Sequence, residues 1–186
     1  MENNISNEDS FKNWIKLQQP SFCGPQFIDE SKISKYLGNV DEKGNYYRWE
    51  ISYDFDELEK IVFDKTGKLF TEIKQIIPLK RGVSGRILHL DIIGNLENKR
   101  NHKLSIKSEY EIRRVLHPNF LYSSAFSIET NLDINNSKHF TLKGAGWGHG
   151  VGLCQIGALG MSLAGKNTKD ILYHYYKQTM IKGIYE

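Results

Sequence analysis

No stretch of the chain approaches the ~20 consecutive apolar residues that a bilayer-spanning helix needs. The opening residues, MENNISNEDSFKNW, have neither the basic n-region nor the apolar h-region of a secretory signal. Two situations fit that absence: a cytoplasmic protein, or the later part of a longer secreted chain. Charge of one sign is also scarce. The net charge is only +3, with Lys and Arg interleaved among Asp and Glu, so no concentrated basic face exists for nucleic acid. Cysteine is limited to Cys23 and Cys154. Neither sits in the paired C-x₂₋₄-C spacing of a zinc site, and a disulfide, free thiols and buried small hydrophobes all fit the pair. There is no G-x-x-x-x-G-K-[ST] phosphate loop, and the G-x-G in the chain lacks the strand, helix and distal acid of a dinucleotide fingerprint. No internal repeat or low-complexity segment occurs.

What is present suits one packed domain. The 186 residues are 39% hydrophobic and 12% aromatic, with 10 Tyr and 9 Phe, enough for a core. Residues 1–10 are polar and expected to fray, leaving residues 11–186 as the domain. Phe11, Trp14, Ile15 and Leu17 form a helix-like pattern that stops before Pro20, and PSFCGPQ reads as a turn. YYRWEISY alternates with period two, which predicts a half-buried strand. DFDELEKIVFDKTG predicts a helix capped by Asp54 and ended by Gly67.

The middle reads as sheet. LFTEIKQIIPL and RILHLDIIG are strand-like, with Leu88, Leu90 and Ile92 on one face opposite His89 and Asp91, and RGVSGR as the turn between them. HKLSIKS is a further strand, and SEYEIRRVLHP a helix capped by Ser108 with Glu111. AFSIET and KHFTLKG predict a hairpin joined by NLDINNS. LCQIGALGMSLAG and TKDILYHYYKQ predict two helices separated at Gly165–Asn167. The expected class is α+β, a mainly antiparallel sheet with several helices packed on it.

The stretch GAGWGHGVGLCQIGALGM, residues 144–161, holds seven glycines. Each glycine in an element interior costs up to about 1 kcal/mol relative to alanine, so this density implies a sharp corner, a close backbone approach, or both. It places His149, a side chain suited to acid, base or ligand duty, before a helix N-terminus. Gln155 near that helix start has an amide to offer a polar substrate. The turn LKRGVSGR sets Arg81, Ser84 and Arg86 around two glycines, a grouping that suits a carboxylate or hydroxyl-rich ligand or a simple hairpin. Tyr173, Tyr175 and Tyr176 fall within one helical turn; two are expected to pack inward, with His174 outward. The acids Glu50, Glu57, Glu59, Asp91, Glu109, Glu111 and Asp170 all fall in helix caps or on polar faces, and none reads as a general acid.

The order RGVSGR, EIRRVL, LYSSAFSIE, GAGWGHGVGLCQIGA and ILYHYY resembles the SpoIID/LytB domain, the family of stage II sporulation protein D and the amidase enhancer. The run from Gly146 to Ala158 carries the most recognisable part of that likeness, which extends from about Phe11 to Tyr185. WIKLQQPSFCG is similar to a cysteine-bearing version in which Cys23 and Cys154 recur together. The resemblance implies work on bacterial peptidoglycan, as a lytic transglycosylase of the glycan strand or as an enhancer of a cell-wall amidase. It assigns substrate contact to His149, Gln155, Arg81, Ser84, Arg86 and Tyr175, and it implies an extracytoplasmic parent protein. It requires no cofactor; for Cys23 and Cys154 it leaves a bridge or a shared zinc open.

One feature of the family has no counterpart here. Its acid glutamate lies in an N-terminal GVV-x-x-E strand, which would precede residue 1, so the chain is expected to hold the later two thirds of the domain and no catalytic residue. The expectation is then weak glycan binding, or completion of a site supplied by a missing N-terminal lobe; the alternative is a non-catalytic accessory module.

Overall fold

A computed structural model of the chain describes residues 5–38, 47–132 and 138–183. It has the α+β architecture expected, with antiparallel sheets and helices. The chain divides into two compact units, Met1–Gln18 with Arg48–His149, and Gln19–Tyr47 with Gly150–Glu186. No helix among the described residues is long and apolar enough to cross a membrane.

The first unit begins with α1 (Glu8–Leu17), whose start lies inside the segment expected to fray. Asn7 caps it by accepting from the Ser10 N–H at 2.9 Å, and Phe11 and Ile15 are buried. An ion pair from Glu8 to Arg81 ties down the first turn. Local polarity thus misled the reading, because the anchoring groups come from far along the chain. Residues 1–4 of that segment lie outside the described residues.

Strand β1 (Arg48–Asp54) buries Trp49 and Tyr53. Asp54 then caps α3, numbered here to leave α2 for the second unit and spanning Phe55–Thr66, by accepting from the Glu57 N–H at 2.8 Å. Leu58, Ile61 and Val62 share its buried face, and Gly67, at φ +69°, closes it with an N–H to the Phe63 carbonyl. Capping residue, apolar spacing and terminal glycine all agree, which is why this helix was readable in advance.

β2 (Phe70–Arg81), β3 (Ile87–Leu96) and β4 (Lys99–Lys107) form one antiparallel sheet in that order. β5 (Phe126–Leu132) and β6 (Lys138–Ala145) form the expected hairpin, and β1 pairs with the other side of β6, giving the order β1-β6-β5. Residues 133–137 of the polar connection lie outside the described residues. Between the sheets in sequence comes α4 (Glu109–Val115), capped by the Ser108 side chain. Ser108 has φ +80°, held there by its side-chain bond to Glu111 N–H and its own N–H to the Leu88 carbonyl at 2.9 Å. One apolar cluster draws on both sheets, α3 and α4, including Trp49, Phe70, Leu90, Ile112, Phe126 and Phe140.

β3 departs from simple alternation. Ile87 is buried while Leu88 is exposed, and Asp91 is buried rather than solvated. Irregularities in the β2–β3 ladder between Pro78 and Lys80, and between Lys80 and Arg81, shift the facing of the residues at the strand's start. Asp91 is accommodated by a 2.6 Å hydrogen bond from Ser105 Oγ, with Lys103 Nζ 3.7 Å from its other oxygen.

The second unit contains a 3₁₀ turn (Glu30–Lys32), α2 (Ile33–Leu37), α5 (Gln155–Leu163) and α6 (Thr168–Tyr175). α2 was not expected from the sequence. Ile28 and Ile33 are buried with Ile156 and Leu159 packed against them. A Cβ on Gly160 would lie 1.9 Å from the Phe22 carbonyl oxygen, so only glycine lets the turn lie on α5. Asn167 and Asp170 form a reciprocal capping box on α6.

Gly144 in β6 is a stringent test of the first unit's packing. A Cβ there would sit 2.0 Å from the buried Trp49 ring. Gly144→Ala should therefore lower stability by about 1–3 kcal/mol, read by urea unfolding followed through tryptophan fluorescence. An unchanged midpoint would show that the indole is free to move.

Candidate functional site

The turn from Gly82 to Arg86 joins β2 to β3 and is closed by Gly82 N–H to the Arg86 carbonyl and Gly85 N–H to the Gly82 carbonyl. Gly85, at φ +74°, has Phe11 2.8 Å from where its Cβ would be, so α1 supports the turn from beneath. The two arginines that flank this turn have opposite fates. Arg81 is only 6% exposed. Its Nε donates to Glu8 Oε2 at 2.8 Å, Nη1 to the Gly85 carbonyl at 2.8 Å and Nη2 to the Phe126 carbonyl at 2.7 Å. Its guanidinium also stacks 4.0 Å over the Phe11 ring. Burial pulls its pKa down and the Glu8 carboxylate opposes that. With every nitrogen engaged, Arg81 is a brace inside the protein and not a substrate contact, which corrects the sequence-based assignment.

Arg86 reaches the other way. Its Nε donates to the Gly148 carbonyl at 3.0 Å and its Nη1 to the Ser84 carbonyl at 3.3 Å. Ser84 is half-buried, and Val83 beside it is 91% exposed. The turn and the glycine loop after β6 are thereby brought together. Two further bonds fix the loop: Trp49 Nε1 donates to the Gly146 carbonyl at 3.0 Å, and Gly148 N–H donates to the Tyr122 carbonyl at 2.8 Å.

Along the loop, Gly146, Gly148, Gly150 and Gly152 have φ of +68°, +79°, +73° and +80°. A left-handed backbone at every second position is a conformation that only glycine takes without strain. The residues between them, Trp147, His149 and Val151, are all exposed. Trp147 is 41% exposed, and its ring packs on Tyr122 at 4.9 Å between centroids with a 38° tilt. Tyr122 in turn meets Trp49 edge-on at 5.6 Å.

In the second unit, Gln155 is the first residue of α5 and is exposed. Tyr175 is half-buried, with its hydroxyl 2.1 Å from where a Gly157 Cβ would stand. Burial, followed by the nearby Cys154 and Cys23 thiols, raises its pKa. It is the one tyrosine of its trio that packs inward: Tyr173 and Tyr176 are exposed, where two covered rings were expected. His174 is exposed as expected, although its ring also meets Phe22 edge-on. Tyr175 packs through its hydroxyl against Gly157. Cys154 caps α5, its Sγ accepting from the Gly157 N–H at 3.3 Å.

The model of a family described as "Domain of unknown function (DUF8618)" matches residues 5–152. The chain belongs to that family. The matched span runs from the residue before α1's cap region to the last left-handed glycine of the loop, and so takes in the whole strapped arrangement. An uncharacterized protein of Brachyspira hyodysenteriae is 41% identical over 66 residues, which are 36% of this chain and 17% of that protein. The chain thus covers about a sixth of that relative's length. Neither description assigns an activity.

Carboxylates are absent from both family-matched loops, 82–86 and 144–152. One carboxyl elsewhere is unusual. Glu59 has a buried Oε1 without a hydrogen-bond partner, and desolvation, then Asp56 and Asp64, raises its pKa. Sequence reasoning missed it because α3 reads as an ordinary capped helix. The β1–β6 register sets Arg48 opposite Ala145 and Asp54 opposite His139, so α3 starts at the end of the sheet away from the glycine loop. Trp147 and Tyr122 were also missed. The signal was available in Trp147 lying between two glycines, which have no side chains to cover its ring.

Two cysteine sulfurs do not make a zinc site, since structural zinc takes four ligands and catalytic zinc at least three from protein. Among the described residues no group of three His, Cys, Asp or Glu is placed to hold a metal.

Arg81→Met should cost about 3–5 kcal/mol, because it strands Glu8 and two carbonyls that now share a buried cation. Denaturant unfolding of the two proteins measures this; equal midpoints would show that the guanidinium is dispensable.

Proposed function

We propose that the glycine loop and the Gly82–Arg86 turn form a surface that holds a peptidoglycan glycan strand, in the manner of a SpoIID/LytB-type domain, and that the parent protein works in the cell envelope. The observation that carries this reading is the outward display of Trp147 and His149 on a backbone that is itself tied at Gly146 and Gly148. An indole supplies a flat apolar face for the C–H side of a pyranose, and imidazole supplies both a donor and an acceptor for sugar hydroxyls. Tyr122 behind the indole and the three straps fix these groups before a ligand arrives, which lowers the ordering cost of binding.

The same loops supply no carboxylic acid. Cleavage of a glycosidic bond by general acid catalysis needs a carboxylic acid within hydrogen-bond reach of the leaving oxygen. The function read from this site is therefore glycan binding. Its fitting partner is a cell-wall enzyme such as an amidase, to which the chain presents the strand.

Co-sedimentation with purified peptidoglycan sacculi tests the proposal. The protein should pellet with the sacculi, and Trp147→Ala and His149→Ala should each weaken binding by about tenfold while circular dichroism stays unchanged. Failure of the unmodified protein to pellet would overturn the reading. Incubation with glycan strands stripped of stem peptides should release no 1,6-anhydro-muramic products, and a robust yield would overturn the restriction to binding.

A further inference from the structure

Cys23 and Cys154 lie far apart in sequence, yet the second unit sets their thiols in hydrogen-bonding contact. Several independent features build this pair. Gly160 admits the Phe22 carbonyl against α5 where any side chain would block it, which seats the turn carrying Cys23 on the helix that Cys154 caps. Ser21 Oγ lies 3.2 Å from Cys23 Sγ, and the Gly157 N–H holds Cys154 Sγ at 3.3 Å. The Tyr175 hydroxyl and Cys154 Sγ both pack on Gly157. Both cysteines are reduced here, Cys23 half-buried and Cys154 exposed. No third metal-ligating side chain accompanies them among the described residues.

We propose that Cys23 and Cys154 are a built-in dithiol that closes to an intramolecular disulfide by exchange with a low-molecular-weight disulfide, tying the Phe22–Cys23 turn to the cap of α5. In the first step one cysteine thiolate attacks a sulfur of the oxidant, whose S–S bond breaks and releases one thiol. In the second step the other cysteine thiolate attacks the mixed disulfide at the protein sulfur, and the second oxidant thiol leaves. Both protein thiols lose their protons, the protein gives up two electrons, and the oxidant is reduced to two thiols. Sequence-distant cysteines held in contact favour this second, internal step over a stable mixed adduct, because the resolving thiol is already in place. The inference stands apart from the glycan reading, since it concerns α5, α6 and the Phe22–Cys23 turn alone.

The full chain equilibrated with oxidised glutathione, alkylated under denaturing conditions and weighed intact tests this. The expected product is a monomer about 2 Da lighter than the dithiol form, with no alkylated cysteine and no glutathione adduct. Peptide mapping should place the bridge between Cys23 and Cys154, and the oxidised form should melt roughly 10 °C higher, as expected for closing a long loop. Cys23→Ser should convert the product to a single glutathione adduct on Cys154. Two alkylated cysteines after equilibration, or a doubly glutathionylated chain, would overturn the proposal.

Discussion

A run of glycines has no side chains with which to hold itself, so its shape has to be imposed from outside. Here the imposition is by hydrogen bonds to its carbonyls and N–H groups. Trp49 and Arg86 donate to the carbonyls of Gly146 and Gly148, and the Gly148 N–H is taken up by Tyr122. The conformational entropy that alternate glycines forfeit on ordering is offset by groups belonging to β1, to the β2–β3 turn and to the segment before β5. The dependence continues inward. Arg86 can reach Gly148 only if its turn is fixed, and the turn is fixed by Arg81 beneath Gly85 and by Phe11 of α1. A buried cation and the helix α1 therefore stand behind an exposed loop.

That chain of supports explains why two arginines five positions apart look alike in sequence and differ in role. Arg81 ends β2, and the pleat turns it inward onto Glu8 and Phe11. Arg86 falls on the turn, where its side chain runs along the surface to the loop. Neither composition nor spacing encodes which way a residue at the end of a bulged ladder points. The same limit accounts for Leu88, which lies beside the irregular pairing of β2 with β3; Asp91 faces as alternation implies and is buried with Ser105 and Lys103 as partners.

Where local rules agreed with one another, the fold was legible. Asp54 with Gly67, Ser108 with Glu111, and the glycine–asparagine break before α6 each marked an element with a physical cap. The β5–β6 hairpin and β1 followed from period-two alternation. Features made by distant groups were not legible: the anchoring of Glu8, and α2, whose buried isoleucine is matched by residues of α5. At the candidate site the loop and His149 could be read because glycine spacing is itself a statement about backbone. The importance of Trp147 depends on what covers it, and only the structure shows that Tyr122 packs against an indole that stays partly exposed.

Glu59 shows why a perturbed carboxyl is not by itself a catalytic acid. Desolvation beside two other acids raises its pKa, which is the direction a proton donor needs. Position decides otherwise. Proton transfer requires hydrogen-bond reach to the reacting atom, and α3 begins beside Asp54, across from His139, at the end of β6 opposite to the one that leads into Gly146. The groups that do face solvent beside the loop are an indole, an imidazole and an aliphatic turn. Such a set can orient and desolvate one face of a polar polymer, and it carries no carboxyl group. A braced loop without a carboxylic acid is what the proposed reading calls for, in which the loop would hold a glycan strand.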